Sequence, residues 1–161
     1  MRLNTSEEVQ LAFYREEHLD ILNRFELPET QAKFTALPKE KVAVSDGQYR
    51  VVILSKKVPV GFFLLHSTKR VSEYTTNPHA MLLTALSIDY KHQGKGYAKE
   101  AMVDLKAFIT THFPDCNEVV LAVNHKNLPA QNLYKNVGFV DTGERKIGKI
   151  GEQLILRLEM K

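Results

Sequence analysis

Ala80 to Ile88 carries no charged side chain, and only Thr84 and Ser87 interrupt its apolar run. A run of that length and character predicts a strand covered on both faces. After a short Gly-containing stretch, Ala98, Ala101, Met102, Leu105, Phe108 and Ile109 recur at three- and four-residue spacing, which predicts a helix with one continuous apolar stripe. Glu118 to Val123 follows the Pro114 turn as a second strand. A second helix then carries Ala130, Leu133, Tyr134 and Val137, and Gly138 is placed to end it. A strand, helix, strand unit of this kind crosses over right-handed when its strands are parallel.

Upstream, a short strand around Val9 to Tyr14 precedes a helical pattern. In it Leu19, Leu22 and Phe25 share a face, with Ile21 alongside, until Pro28 stops the helix or forces a turn. Glu29 to Pro38 reads as a short irregular helix or loop. From Val42 the period changes: Asp46-Gly47 signals a turn, and Tyr49 to Leu54 and Val60 to His66 read as strands. Lys56-Lys57 joins them, and so short a link makes them antiparallel neighbours. Thr68 to His79 reads as a loop or weak helix. The tail supplies Phe139 to Asp141 and Leu154 to Met160 as two strands, joined through the basic, Gly-containing segment Arg145 to Gly151.

The chain has 161 residues, which suits one domain over residues 1–161 and is too short for two ordinary cores. A composition of 43% hydrophobic and 25% charged residues can build a core and argues against disorder. The one cysteine, Cys116, excludes an internal disulfide, and with no activating base near it in sequence it reads as inert. Met1 to Gln10 has no apolar run resembling a secretion signal, and no stretch reaches the length of a membrane span. Cytoplasm is the expected compartment, with no membrane partner. Lys and Arg number 22 against 19 Asp and Glu, a net charge of +3. That excess suits an anionic cofactor and is too diffuse for nucleic acid, which is not expected as a partner.

The chemistry concentrates where the buried strand becomes a helix: Lys91, His92, Gln93, Gly94, Lys95, Gly96, Tyr97 and Ala98. Two glycines one residue apart permit a tight turn and the close approach of a ligand, and the first turn of the helix leaves N–H groups unpaired. Those donors, with the helix dipole, favour phosphate oxygens. A glycine pair also serves simply to cross from sheet to helix, so the turn alone leaves that reading open. It lacks the Gly, Lys and Ser/Thr arrangement of a nucleoside triphosphate loop, and Glu100 lies too close to be the ribose-binding acid of a dinucleotide fold.

A second constellation runs from Val123 to Phe139. Asn127 can cap a helix, Pro129 fits its first turn, Leu133 packs inward, and Tyr134 lies about two turns along with a hydroxyl able to reach a cleft. Together the stretches resemble the GNAT N-acetyltransferase superfamily. The family's Gln/Arg, two residues, Gly, any residue, Gly/Ala pattern corresponds to Lys91, His92, Gln93, Gly94, Lys95, Gly96, with Lys91 departing from the usual first residue. The later pattern is complete as Asn127, Ala130, Leu133-Tyr134 and Gly138-Phe139.

The resemblance implies an α/β fold of one GNAT-like domain. Its mixed, mostly antiparallel central sheet splays between two parallel strands and is flanked by helices. It further implies acetyl-CoA as cosubstrate, lying where those strands part, and no metal. The pyrophosphate would meet the amides of Gln93, Gly94, Lys95, Gly96, Tyr97 and Ala98. The pantetheine arm would run beside the backbone of Leu86 to Ile88, and Asn127 would touch the arm.

Transfer to an amine with a pKa of roughly 10 requires a neutral nucleophile, and the leaving thiolate, with a thiol pKa of roughly 8.5, benefits from a proton donor. Tyr134 occupies the donor's place in the motif, and a backbone amide near Leu86 to Ile88 could stabilise the oxyanion. The base is not fixed: Glu26, Glu29, Glu73, His66, His79 and a water chain all remain candidates. Residues 1–40 hold Glu7, Glu8, Glu16, Glu17, Asp20, Glu26, Glu29 and Glu40, which either favour a cationic, polyamine-like acceptor or form a solvated helix surface. The expected activity is acetyl transfer to a primary amine of a small molecule or peptide. A weakly catalytic acyl-CoA-binding sensor is the alternative, and monomer and homodimer are both compatible with the sequence.

Overall fold

The computed structural model describes residues 9–160. Its frame is one seven-stranded sheet, formed by β1 (Val9–Phe13), β2 (Gln48–Ser55), β3 (Val58–His66), β4 (Ala80–Ile88), β5 (Glu118–Asn124), β6 (Val140–Gly148) and β7 (Gly151–Glu159). The strands lie in the order β1-β2-β3-β4-β5-β7-β6, and every neighbouring pair is antiparallel except β4 and β5. The helices are α1 (Leu19–Leu22), α2 (Glu29–Ala32), α3 (Tyr97–His112) and α4 (Leu128–Asn136). The polar stretch after β3 contains a single 3-10 turn, Lys69–Glu73.

Alternation along the strands divides the core between the two faces. Met81 and Leu83 of β4, with Val119 and Leu121 of β5, pack against Ala101, Met102, Leu105 and Ile109 of α3. On the opposite face Leu22 and Phe25 cover Val52, Leu54, Phe62 and Leu64, while Val71 packs with Ala80, Leu82 and Val120. The helical pattern expected from Leu19 to Phe25 is broken into a 3-10 turn, Glu16–His18, and the single turn α1, yet Leu22 and Phe25 still enter the core, with Ile21 packed against it.

Two features depart from the sequence-based expectation. The joining segment Arg145 to Gly151 is mostly strand, because β6 runs to Gly148 and β7 starts at Gly151, leaving Lys149 and Ile150 as the hairpin turn. β6 is an edge strand with no buried alternation, so its pairing leaves no apolar signature. Nor is β4 covered on both faces throughout: it is buried from Ala80 to Leu83, but Thr84, Ala85 and Leu86 are half-exposed.

That change has a backbone cause. β4 pairs with β5 only at Ala80, Met81 and Leu82, opposite Glu118, Val119 and Val120; beyond these the strands part. On its other side β4 carries a bulge, since Ala85 and Leu86 together oppose Phe63, and Ala85 is held at φ 59°, in the left-handed region unusual for a residue with a side chain. Behind Thr84, the buried His66 ring places Nε2 2.7 Å from the Thr84 hydroxyl. Burial, followed by the charges of Arg70 and Lys41, pushes the His66 pKa down to about 4.

A neutral buried His66 contributes stability that is complete above its unfolded pKa of 6.5 and is lost as pH falls toward 4. Urea unfolding at stepped pH should show this histidine removing up to about 3 kcal/mol across that window. A His66→Gln protein should show a correspondingly flatter acid limb, and an unchanged limb would contradict the assignment.

Candidate active site

Where β4 and β5 part, a cavity of about 1160 Å³ opens through the sheet. Clefts for a single drug-sized ligand span roughly 300–1,000 Å³, so this one can hold more than one partner. Its first wall is the junction after β4. Gly94 and Gly96 have φ of 80° and 82°, and a Cβ added at either would meet no protein atom within 4 Å, so the turn faces open space. Gly96 is the N-cap of α3.

The N–H groups of Tyr97 and Ala98 precede any acceptor within the helix, and those of Gly94, Lys95 and Gly96 make no hydrogen bond among the described residues. Five consecutive amides therefore stand open at the positive end of a 16-residue helix. Gln93 differs from its expected role: its N–H donates to the Tyr90 carbonyl at 3.1 Å. Its side chain is engaged as well, with Nε2 donating to Gln31 Oε1 at 2.7 Å and to the Ile88 carbonyl at 2.9 Å, while Gln31 Nε2 donates back at 3.0 Å.

Gln31 belongs to a segment fastened across the mouth of the cleft. The buried Asp89 carboxylate accepts from the Glu26 N–H at 2.9 Å, and Tyr90 N–H donates to the Glu26 carbonyl at 2.9 Å. Farther along, the Thr35 hydroxyl donates to the Leu86 carbonyl at 3.0 Å. The carbonyls of Leu86 and Ile88, expected to be available to a ligand's arm, thus each already accept one protein hydrogen bond. A second lone pair remains on each oxygen.

The second wall is α4. Asn127 caps it, its Oδ1 accepting from Ala130 N–H at 3.3 Å, and Gln131 Nε2 donates to the carbonyls of Asn124 and His125 at 3.0 and 3.1 Å, tying the helix to the end of β5. Tyr134 is buried and its ring meets Phe139 edge-on, with centroids 5.3 Å apart. Its hydroxyl has no protein partner among the described residues, and burial pushes the phenol pKa well up, so it holds its proton across the physiological range.

Of the residues expected from sequence, Leu86, Ile88, Gln93, Gly94, Gly96, Tyr97, Ala98, Asn127 and Tyr134 line this cavity; Lys95 does not. None of Glu26, Glu29, Glu73, His66 and His79 lines it, and among the described residues the lining holds no carboxylate at all. Glu16, Glu17, Asp20, Glu26, Glu29 and Glu40 are exposed away from it, whereas Glu7 and Glu8 lie outside the described residues. Cys116 is half-buried, with burial pushing its thiol pKa up, as befits an inert side chain.

Sequence reasoning missed Gln31 and Thr35, whose contacts span more than fifty residues, and the cations Lys33, Arg70, Lys146 and Lys149 on the lining. No local spacing joins those positions. Among the described residues, no group of three or more His, Cys, Asp or Glu could hold a metal, and no helix is long and apolar enough to cross a membrane.

Known proteins give the same picture. The chain is 48% identical over 155 residues to the uncharacterized N-acetyltransferase YbbJ of Bacillus subtilis (strain 168), covering 94% of this chain and 97% of that one. Among solved structures, AAC(6')-Ib in complex with paromomycin and acetyl-CoA superposes with a TM-score of 0.75 at 14% identity, over 94% of this chain and 93% of that one. Spermidine N-acetyltransferase from Vibrio cholerae in complex with CoA and spermine gives 0.71 at 16% identity, over 96% of each chain. At such identities these two establish the shared fold. The model of the Acetyltransferase (GNAT) family matches residues 12–139, and with its open amide turn and splayed parallel strands this chain belongs to that family.

Proposed function

We propose that the protein transfers the acetyl group of acetyl-CoA to a primary amine of a small molecule or peptide, by direct attack of the amine on the thioester. One observation carries the reading: Gly94, Gly96, Tyr97 and Ala98 of the open amide turn and Tyr134 line the same cavity, at the point where β4 and β5 separate. The amides take the pyrophosphate, with Asn127 beside the arm. The arm follows β4 by adding to, or displacing, the side-chain bonds on the Leu86 and Ile88 carbonyls. Gln93, already committed through its N–H and its side chain, positions the turn.

Beside the bulge, a backbone N–H in the stretch Leu86 to Ile88 is the donor for the thioester oxygen, which becomes negative on attack. The amine nitrogen bonds to the carbonyl carbon and the carbon–sulfur bond breaks. Tyr134 gives its proton to the departing thiolate and is reprotonated, through water, by the proton the nitrogen loses. Burial keeps the phenol protonated, so a proton is in place when sulfur takes up charge.

Three measurements test this. Tyr134→Phe should retain the fold and lower kcat by about 10²-fold in an assay of CoA thiol release, with the KM for acetyl-CoA little changed; unaltered turnover at saturating substrates would remove the acid role. Gly96→Ala places a methyl where the phosphate sits and should raise the KM for acetyl-CoA about tenfold, while the left-handed backbone costs about 1–2 kcal/mol of stability. With no carboxylate on the lining, kcat/KM for the amine should rise about tenfold per pH unit up to the amine's own pKa. A plateau reached near pH 6 to 7 would reveal a protein base instead.

A further inference from the structure

The cavity has two electrostatic halves. One follows the α3 and α4 face, where the open amides are joined by Lys99 and Lys126. The other lies on the opposite face of the sheet, where Val71 packs with Leu82 and Val120 and where the segment bearing Thr35 crosses β4. Beside these elements the lining carries Arg70, Lys146 and, two residues before Thr35, Lys33, from three separate stretches of chain, and among the described residues no Asp or Glu lines the cavity.

These stretches are held together. Lys146 Nζ of β6 lies 3.3 Å from Glu73 Oε1 and 5.1 Å from the centroid of the Tyr74 ring, which clamps the β6–β7 hairpin against the turn that carries Arg70. Lys146 is therefore neutralised by Glu73, but the Arg70 guanidinium has no carboxylate within ion-pair distance among the described residues. Arg70 also lies close enough to His66 for its charge to act on that ring, and His66 holds Thr84 at the start of the bulge. A planar fork of donors on the cavity lining, with no carboxylate partner among the described residues, can take a carboxylate or a phosphate two-pronged. The same wall repels a second ammonium group.

We propose that the acceptor is an amine that also carries a carboxylate or phosphate group, held by Arg70, and that polycationic amines are disfavoured. This rests on the transferase reading above and adds the substrate class. It sets the chain apart from the aminoglycoside and spermidine enzymes that share its fold at 14% and 16% identity.

The test compares initial rates of CoA release at saturating acetyl-CoA. One arm offers glycine, β-alanine and glutamate, a second offers O-phosphoethanolamine, and a third offers spermidine and kanamycin. At least one anionic amine should exceed both polycations about tenfold in kcat/KM, and the better of the first two arms identifies carboxylate or phosphate as the recognised group. For that substrate, Arg70→Gln should raise the KM about tenfold with kcat and the KM for acetyl-CoA held, and Arg70→Lys should restore part of the loss. Faster turnover of spermidine or kanamycin than of every anionic amine overturns the substrate class and leaves the transferase intact, as would an Arg70→Gln protein with an unmoved KM. A protein that binds acetyl-CoA yet acetylates no amine in any arm overturns the transferase reading, and this inference with it.

Discussion

Everything about the site depends on a parallel ladder that stops after three residue pairs. β4 keeps β3 along one edge and β5 keeps β7 along its whole length, so neither strand needs the other to remain in the sheet. What the separation does create is main-chain polar groups that must find partners once they leave the ladder. Thr35 answers for the Leu86 carbonyl, Gln93 for that of Ile88, and Gln131 for those of Asn124 and His125. The opening is thus held by side-chain amides and a hydroxyl standing in for a missing strand, and the bulge at Ala85 turns the β4 backbone away from the regular pleat.

The same separation lets one cavity reach both faces of the sheet. On the α3 side the positive field is that of main-chain dipoles, short in range and fixed in direction. Across the sheet it comes from long cationic side chains on the Lys69–Glu73 turn, the β6–β7 hairpin and the segment after α2. Tyr134 is different from both: a neutral acid in an apolar setting, its proton retained because an anion there would be poorly solvated. In the proposed reaction, phosphate binding, acceptor contact and proton donation fall to backbone, charged side chains and a buried phenol in turn.

Much of this was legible in the sequence. The helix stripe from Ala98 to Ile109, the turn at Gly94 and Gly96 and the cap at Asn127 follow from spacing and backbone chemistry over a few residues, and the structure places them as expected. The family pattern then implied the splayed strands, which apolar content alone could not, since a half-open β4 and a fully covered one read alike from Ala80 to Ile88. β6 escaped because an exposed edge strand buries nothing in alternation. The Gln31–Gln93 and Thr35–Leu86 contacts, and the cationic wall, escaped for another reason: they join residues whose only relation is three-dimensional. The acidic count of the first forty residues left a cationic acceptor and a solvated helix surface both open, and the carboxylates described there are exposed. Net charge by segment says nothing about which way side chains point.

The cradle of open amides between Gly94 and Ala98 has a consequence for descent. Main-chain donors have no side-chain identity to lose, so substitution at Lys95 or Tyr97 changes what projects from the turn and leaves the donors in place; only the two glycines, with their left-handed backbone, are bound to a residue type. The proposed acceptor wall has no such protection, since each of its charges can be reversed by replacing one side chain. Lineages can therefore diverge to 14% identity with the fold kept at a TM-score of 0.75. The cofactor half is inherited with the chain's path, and the acceptor half must be read anew in each member.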